Sequence, residues 1–314
     1  MGVKNNSSRI GAGLDPGEIF LPMIRHFLRL SVVAAVLVAC ALPVEGATKK
    51  KTKRAPQQVD PVAETSTDSS GIPRTRAASV LVADAATGQV LYEKNADQQR
   101  QPASTQKLLT ALLIVEAGDL DRRVVVAPSD TRVEPVTLGV KPGEVYTRRE
   151  LLRVLLVHSV NDVACALARD NAGSIAEFAD KMNAKARELG MTRSHFVNPN
   201  GLPAPDQYSS ARDMSRLALA AYRSPTIRSI VSTKSLYFEF ANGRVEEFKN
   251  TNHVLRDYPF CTGMKTGYTQ AAGHCLVSSG TRNGREVISV VLGDKDRDWL
   301  WRDSSSLLAW GLSL

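Results

Sequence analysis

The chain is poor in the residues that announce metal, redox or membrane chemistry. Among 314 residues there are five histidines and four cysteines. No histidine stands at zinc-peptidase spacing and no cysteines stand at zinc-ligand spacing, so neither a metal nor another cofactor is expected. The main apolar run, residues 30–44, is too short for a comfortable membrane span. No internal repeat is evident. The net charge of +8 is not interleaved with aromatics or gathered on a recognisable module, so nucleic acid is not an expected partner. A basic surface facing a membrane or a polyanionic wall accounts for that charge equally well. What remains, 43% hydrophobic and 23% charged, is ordinary globular composition.

Arg25, His26 and Arg29 precede the run 30–44. That is the layout of a secretory signal, with Met23 competing with Met1 as the true start. Two ends to the signal stay open. Leu37-Val38-Ala39-Cys40 fits a bacterial lipoprotein signal, which would tether the protein to a membrane through Cys40. Val44-Glu45-Gly46 before Ala47 fits ordinary signal peptidase. Both readings export the chain to the periplasm or cell envelope. Residues 1–46 are therefore expected to be extension and signal, 47–76 a Lys-, Pro- and Ser-rich disordered tether, and 77–314 one folded domain. Cys165 reads as a buried small hydrophobe. A disulfide between Cys261 and Cys275 is left open.

Two strands are expected over Ser79 to Ala83 and Val90 to Tyr92. A helix then opens at Pro102-Ala103-Ser104-Thr105-Gln106-Lys107 and ends at Gly118. Thr147 and Glu150 make a capping box for a helix stopping near Ser159; Ser174 and Glu177 make another. Further helices are expected from about Asp162 and over Ala211 to Tyr222. Asn242-Gly243 and Asn283-Gly284 mark hairpins, and one strand should end in Met264-Lys265-Thr266-Gly267. Trp299, Leu300, Leu307, Leu308 and Trp310 stand at helical spacing, for a helix packed on the sheet rather than on a membrane surface. Strands at both ends with helices between predict an α+β domain whose antiparallel sheet is built from both chain ends around an all-helical insert.

Lys107 follows Ser104 by three residues, so both share one helix face. The helix is apolar on nearly every side, and burial lowers a lysine pKa by roughly 3 to 5 units. A neutral amine beside a hydroxyl is a base beside its nucleophile. Alone the pair is weak evidence, since chance supplies Ser-x-x-Lys about once in such a chain. Ser159-Val160-Asn161 and Lys265-Thr266-Gly267, in this order and in these contexts, add to it.

From about Ala77 to Leu312 the chain resembles the low-molecular-mass penicillin-binding proteins of the serine D-alanyl-D-alanine carboxypeptidase family, peptidase family S11. Ser159-Val160-Asn161-Asp162, Phe196-Val197-Asn198-Pro199-Asn200-Gly201-Leu202, Ser210-Ala211-Arg212-Asp213-Met214, Asn250-Thr251-Asn252 and Gly263-Met264-Lys265-Thr266-Gly267-Tyr268-Thr269 extend the likeness. The resemblance implies a serine β-lactamase-like transpeptidase fold and action on peptidoglycan stem peptides ending in D-Ala-D-Ala. It also implies β-lactams as covalent inhibitors. Ser104 is then the nucleophile, Lys107 its base, and Ser159 a proton relay to the departing amine. Asn161 holds Lys107 and the substrate carbonyl. Lys265 and Thr266 bind the terminal carboxylate, and Gly267 admits substrate backbone. The amides of Ser104 and Tyr268 form the oxyanion hole.

Three alternatives stand beside carboxypeptidase action. A DD-endopeptidase would use the same acylation chemistry. A β-lactamase is disfavoured by Val160 in place of an aspartate and by the lack of a convincing deacylating glutamate; Glu134 and Glu144 read better as loop or cap residues. A non-catalytic wall-binding module has no use for a desolvated base beside a nucleophile. Arg297 reads as a surface charge rather than a carboxylate contact.

Overall fold

The computed structural model describes residues 66–314; Cys40, both candidate starts and both candidate signal ends lie outside the described residues. Strand β1 (Ser79–Asp84) is apolar on both sides because both its faces are covered. Leu81 and Ala83 enter the larger core, while Val80 and Val82 enter a second, smaller one. β2 (Val90–Lys94) pairs with it on one edge, and β9 (Arg285–Asp294) pairs antiparallel on the other. With β7 (Cys261–Thr269) and β8 (Gly273–Arg282) the order is β2-β1-β9-β8-β7, which leaves β7 on the edge. The sheet is thus assembled from both ends of the domain, as expected.

The larger core is helical. A 3-10 turn (Ala103–Gln106) runs into α1 (Lys107–Glu116), which packs against α2 (Arg148–His158), α3 (Asn161–Ala172), α4 (Ile175–Glu188) and α5 (Ala211–Arg223). Leu108, Leu109, Ala111 and Ile114 are fully buried there, which explains an apolar run with no polar stripe. The Thr147–Glu150 capping box is formed, and Ser174 caps α4. Two further two-stranded sheets pair β3 (Arg123–Val125) with β4 (Val145–Thr147), and β5 (Ser235–Glu239) with β6 (Val245–Lys249). The short helices α6 (Pro225–Val231) and α7 (His253–Asp257) were not expected.

Helix α8 (Arg297–Gly311) covers the second face of the sheet through Leu300, Leu307 and Leu308, so its apolar side is used in packing.

Two expectations need correction, and the disulfide left open is decided. β7 does not stop at Gly267 but continues to Thr269, paired with Gly273, so Lys265 is mid-strand. Cys261 and Cys275 are free, because their strand partners are Gly280 and Gly267, at opposite ends of the β7–β8 ladder. Residues 66–76, placed in the disordered tether by composition, hold defined contacts. Thr67 bridges Pro73, and the Thr75 hydroxyl and Arg76 amide donate to buried Asp303 of α8 at 2.6 and 2.7 Å. The Arg76 guanidinium lies 3.5 Å over the Trp299 ring.

Candidate active site

Ser104 sits on the 3-10 turn, entered through Ala103 at φ 49°, a left-handed conformation rare outside glycine. Lys107 begins α1 with its side chain fully buried, and its Nζ lies 2.8 Å from Ser104 Oγ. The same Nζ donates to Asn161 Oδ1 at 2.7 Å and to the Asn200 carbonyl at 2.6 Å. Burial, and then the charge of Lys265, hold the Lys107 amine well below the usual lysine range. A neutral amine has two hydrogens and one lone pair. The two carbonyl oxygens only accept, so in the neutral amine they can take both hydrogens and leave the lone pair to the Ser104 hydroxyl, which itself lies 3.3 Å from Asn200 O.

Each of those acceptors is itself held. Asn161 opens α3, just after Ser159 has turned the chain at φ 72°. Its amide nitrogen donates to Pro135 O, which turns Oδ1 toward Lys107. The buried Asp162 carboxylate accepts from the Leu138 and Gly139 amides and fixes the loop behind Pro135. The loop 198–202 is gripped by one face of the nucleophile helix. Gln106 Nε2 donates to Asn198 O, Lys107 to Asn200 O, and Thr110 Oγ1 to Pro199 O. Gly201, at φ 86°, is needed here, since a Cβ would lie 2.1 Å from Ala103 O.

Lys265 is also fully buried, donating to Ser159 Oγ at 2.8 Å and to Thr266 O at 2.9 Å; burial brings its pKa down to about 7. Thr266 Oγ1 lies 2.6 Å from Thr251 Oγ1. Gly267 has a reason the sequence did not disclose. A Cβ there would come within 2.8 Å of Ser104 N and 2.9 Å of Thr105 N, so the glycine lets β7 lie against the nucleophile turn itself. Tyr268 is exposed and stacks on His274, with ring centroids 4.3 Å apart.

A cleft of about 830 Å³ opens over these residues. Ser104, Ser159, Asn161, Thr266, Gly267 and Tyr268 line it, whereas Lys107 and Lys265 stand behind the lining. Lys265 therefore acts on the cleft through the Ser159 hydroxyl and Thr266. Thr251, Pro135 and the Asn200 carbonyl were not singled out as site groups. Asn250-Thr251-Asn252 and the 198–202 stretch carried the signal only as segments of the resemblance. Cys165, pushed up to about 11 by burial, receives only a weak Asn200 contact at 3.7 Å. Glu144 caps its own loop, accepting from Lys141 N and Tyr146 OH. Among the described residues no His, Cys, Asp and Glu cluster suits a metal ion.

A serine nucleophile with a buried lysine base, on a helix apposed to the edge strand of an antiparallel sheet, defines a penicillin-binding, β-lactamase-like acyltransferase. The profile of the D-alanyl-D-alanine carboxypeptidase family, peptidase S11, matches residues 64–296. The chain belongs to that family. It is 38% identical over 248 residues to the Mycobacterium tuberculosis D-alanyl-D-alanine carboxypeptidase DacB2, covering 77% of this chain and 84% of that one. It is 36% identical over 222 residues to DacF of Bacillus subtilis, covering 69% of this chain and 57% of DacF, so it spans little more than half of that relative's length. A D-alanyl-D-alanine endopeptidase of Escherichia coli is 35% identical over 260 residues, with 82% and 83% covered. The crystal structure of a M. tuberculosis D-alanyl-D-alanine carboxypeptidase superposes with a TM-score of 0.74 at 36% identity, over 77% of this chain and 93% of that one. The Streptomyces K15 DD-transpeptidase gives 0.74 at 30%, over 77% and 99%.

Proposed function

We propose that the chain is a serine D-alanyl-D-alanine carboxypeptidase that trims peptidoglycan stem pentapeptides and is acylated by penicillins. The observation that carries this is the Ser104–Lys107 contact at 2.8 Å, with the amine buried and held also by Asn161 Oδ1 and the Asn200 carbonyl. Ser104 Oγ attacks the carbonyl carbon of the penultimate D-alanine while its proton passes to Lys107 Nζ. The C–N bond then breaks, and the departing amine takes a proton through Ser159. The leaving carboxylate is met by Thr266, with the Lys265 charge behind it. The amides of Ser104 and Tyr268 face the oxyanion, each such donor contributing about 2.7–4 kcal/mol. Water hydrolyses the ester. Such a substrate lies in the cell envelope, so this reading includes export by residues 1–46, a role in wall organisation and cell shape, and anchoring through Cys40 if that residue is lipidated.

Fluorescent penicillin should label the wild-type protein and not Ser104→Ala. Lys107→Ala should slow labelling by roughly 10²–10⁴, the usual contribution of a positioned base. D-Alanine should appear from a pentapeptide. A Ser104→Ala protein that still labels would refute the mechanism.

A further inference from the structure

A main-chain carbonyl cannot be removed by changing its own side chain, so its place is set by the groups that hold its loop. The Asn200 carbonyl bears on both reacting groups: Lys107 Nζ donates to it at 2.6 Å, and Ser104 Oγ lies 3.3 Å away. Its loop leaves at Val197 and returns at Leu202, and one side chain from outside the loop joins the two ends. Gln207 Oε1 accepts from the Val197 and Asn198 amides, each at 3.2 Å, and Gln207 Nε2 donates to Leu202 O at 2.7 Å. These partners settle the orientation of the amide, since turning it over would set hydrogens against hydrogens and oxygen against oxygen. Inside the loop Asn198 repeats the tie, with Nδ2 donating to Leu202 O and Oδ1 accepting from the Gly201 amide. Gln106, the residue before the base, reaches Gln207 Oε1 from the nucleophile turn at 3.4 Å. Gln207 is 4% exposed and does not line the cleft. It has no route to a substrate, so what it does for the reaction it does through the loop. Its main chain is pinned independently of that side chain, because the next residue, Tyr208, exchanges both main-chain hydrogen bonds with His195 at 2.9 and 3.0 Å.

We propose that Gln207 is a positioning residue for acylation, fastening the neck of loop 197–202 so that the Asn200 carbonyl stays against Lys107 Nζ and beside the Ser104 hydroxyl. This rests on the acyl-enzyme reading above. Without that carbonyl the neutral amine has only the Asn161 oxygen to take a hydrogen, and its lone pair is no longer directed at the hydroxyl. An acceptor is also worth more to an ammonium than to an amine, so Lys107 would hold its proton less firmly. The first effect slows acylation at every pH, and the second moves the acid limb of its pH profile down.

The test measures the rate constant of fluorescent-penicillin acylation across pH for the wild-type protein and for Gln207→Met, a swap that keeps chain length and bulk while removing the amide. Gln207→Met should lower the plateau rate roughly 10²-fold, as a misplacement near 1 Å does. Its acid limb should lie about one pH unit below that of the wild type, as the loss of one acceptor from a charged amine requires. The titratable groups that bear on Lys107 are Lys265 of β7 and Cys165 and Asp162 of α3. None of them bonds Gln207, so the alkaline limb, set by Lys265 near 7, should stay in place. A merely structural role would reduce the fraction of protein that labels and leave both limbs where they are. Thr110→Val decides the matter if Gln207→Met does not fold. Thr110 Oγ1 holds Pro199 O of the same loop at 2.6 Å from α1, and its loss should slow acylation and lower the acid limb in the same way. An undiminished rate, or a slower one whose acid limb is not lowered, in the variant that folds would overturn the proposal. Absent labelling in the wild type would instead overturn the acyl-enzyme reading.

Discussion

Lys107 stays a base because burial and the charge of Lys265 outweigh what favours its charged form nearby, Cys165 and Asp162. Asn161 offers it a neutral oxygen at 2.7 Å, whereas an aspartate would put a carboxylate there. An opposite charge at that range raises a lysine pKa, by analogy with the roughly 1–3 unit shifts seen for paired carboxylates. Asn161→Asp should therefore move the acid limb of the penicillin acylation profile upward by about 1–3 pH units and slow the reaction at pH 7. A limb that stays in place would show that Lys107 is not the titrating base. The alkaline side belongs to Lys265, with a pKa near 7. Its ammonium is present below that value and lost above it, so kcat/KM should fall as pH rises through about 7. In the bound complex the substrate carboxylate favours the charged form, so the corresponding limb in kcat should lie higher. Both limbs come from one set of rate measurements across pH.

At the scale of elements, the site is an apposition of β7 with the 3-10 turn, and Gly267 is its point of contact. A Cβ there meets main-chain nitrogens, which cannot swing away as a side chain can. Gly267→Ala should push the turn off the strand, slow acylation by about 10²-fold, as a misplacement near 1 Å does, and destabilise the fold by about 1–3 kcal/mol. Acylation kinetics and thermal unfolding check both; a near-wild-type rate would sink the apposition argument. The sequence disclosed what local chemistry decides. The Thr147–Glu150 box and the Asn242-Gly243 and Asn283-Gly284 turns stand where their side chains and backbone preferences demand. It did not disclose α6 and α7, whose seven and five residues are too few for a helical period to show. Nor did it disclose the Asn200 carbonyl, because a main-chain oxygen has no residue type. Ser104, Lys107, Ser159, Asn161 and Lys265 were legible through their motifs, but only the fold shows that both lysines stand behind the lining.

At the scale of the whole molecule, one sheet carries two cores, and the segment before β1 is fastened to the second. Asp303, buried in α8, accepts from Thr75 and Arg76. Asp303→Ala should strand those donors at a cost of about 1–3 kcal/mol and lower Tm by about 2–4 °C for each. An unchanged melting curve would mean that residues 66–76 add nothing to stability. The strand order β2-β1-β9-β8-β7 also differs from the order of the strands along the chain. β1 comes early in the domain's sequence, yet its second neighbour is β9, and β7 joins that sheet only by way of β8 and β9. Every side chain of the site has been synthesised by Tyr268, before the strands that bring β7 home. A chain halted short of β9 holds Ser104, Lys107, Ser159, Asn161 and Lys265 to Tyr268 and lacks the strand that joins β8 to β1, and so the frame that aligns them.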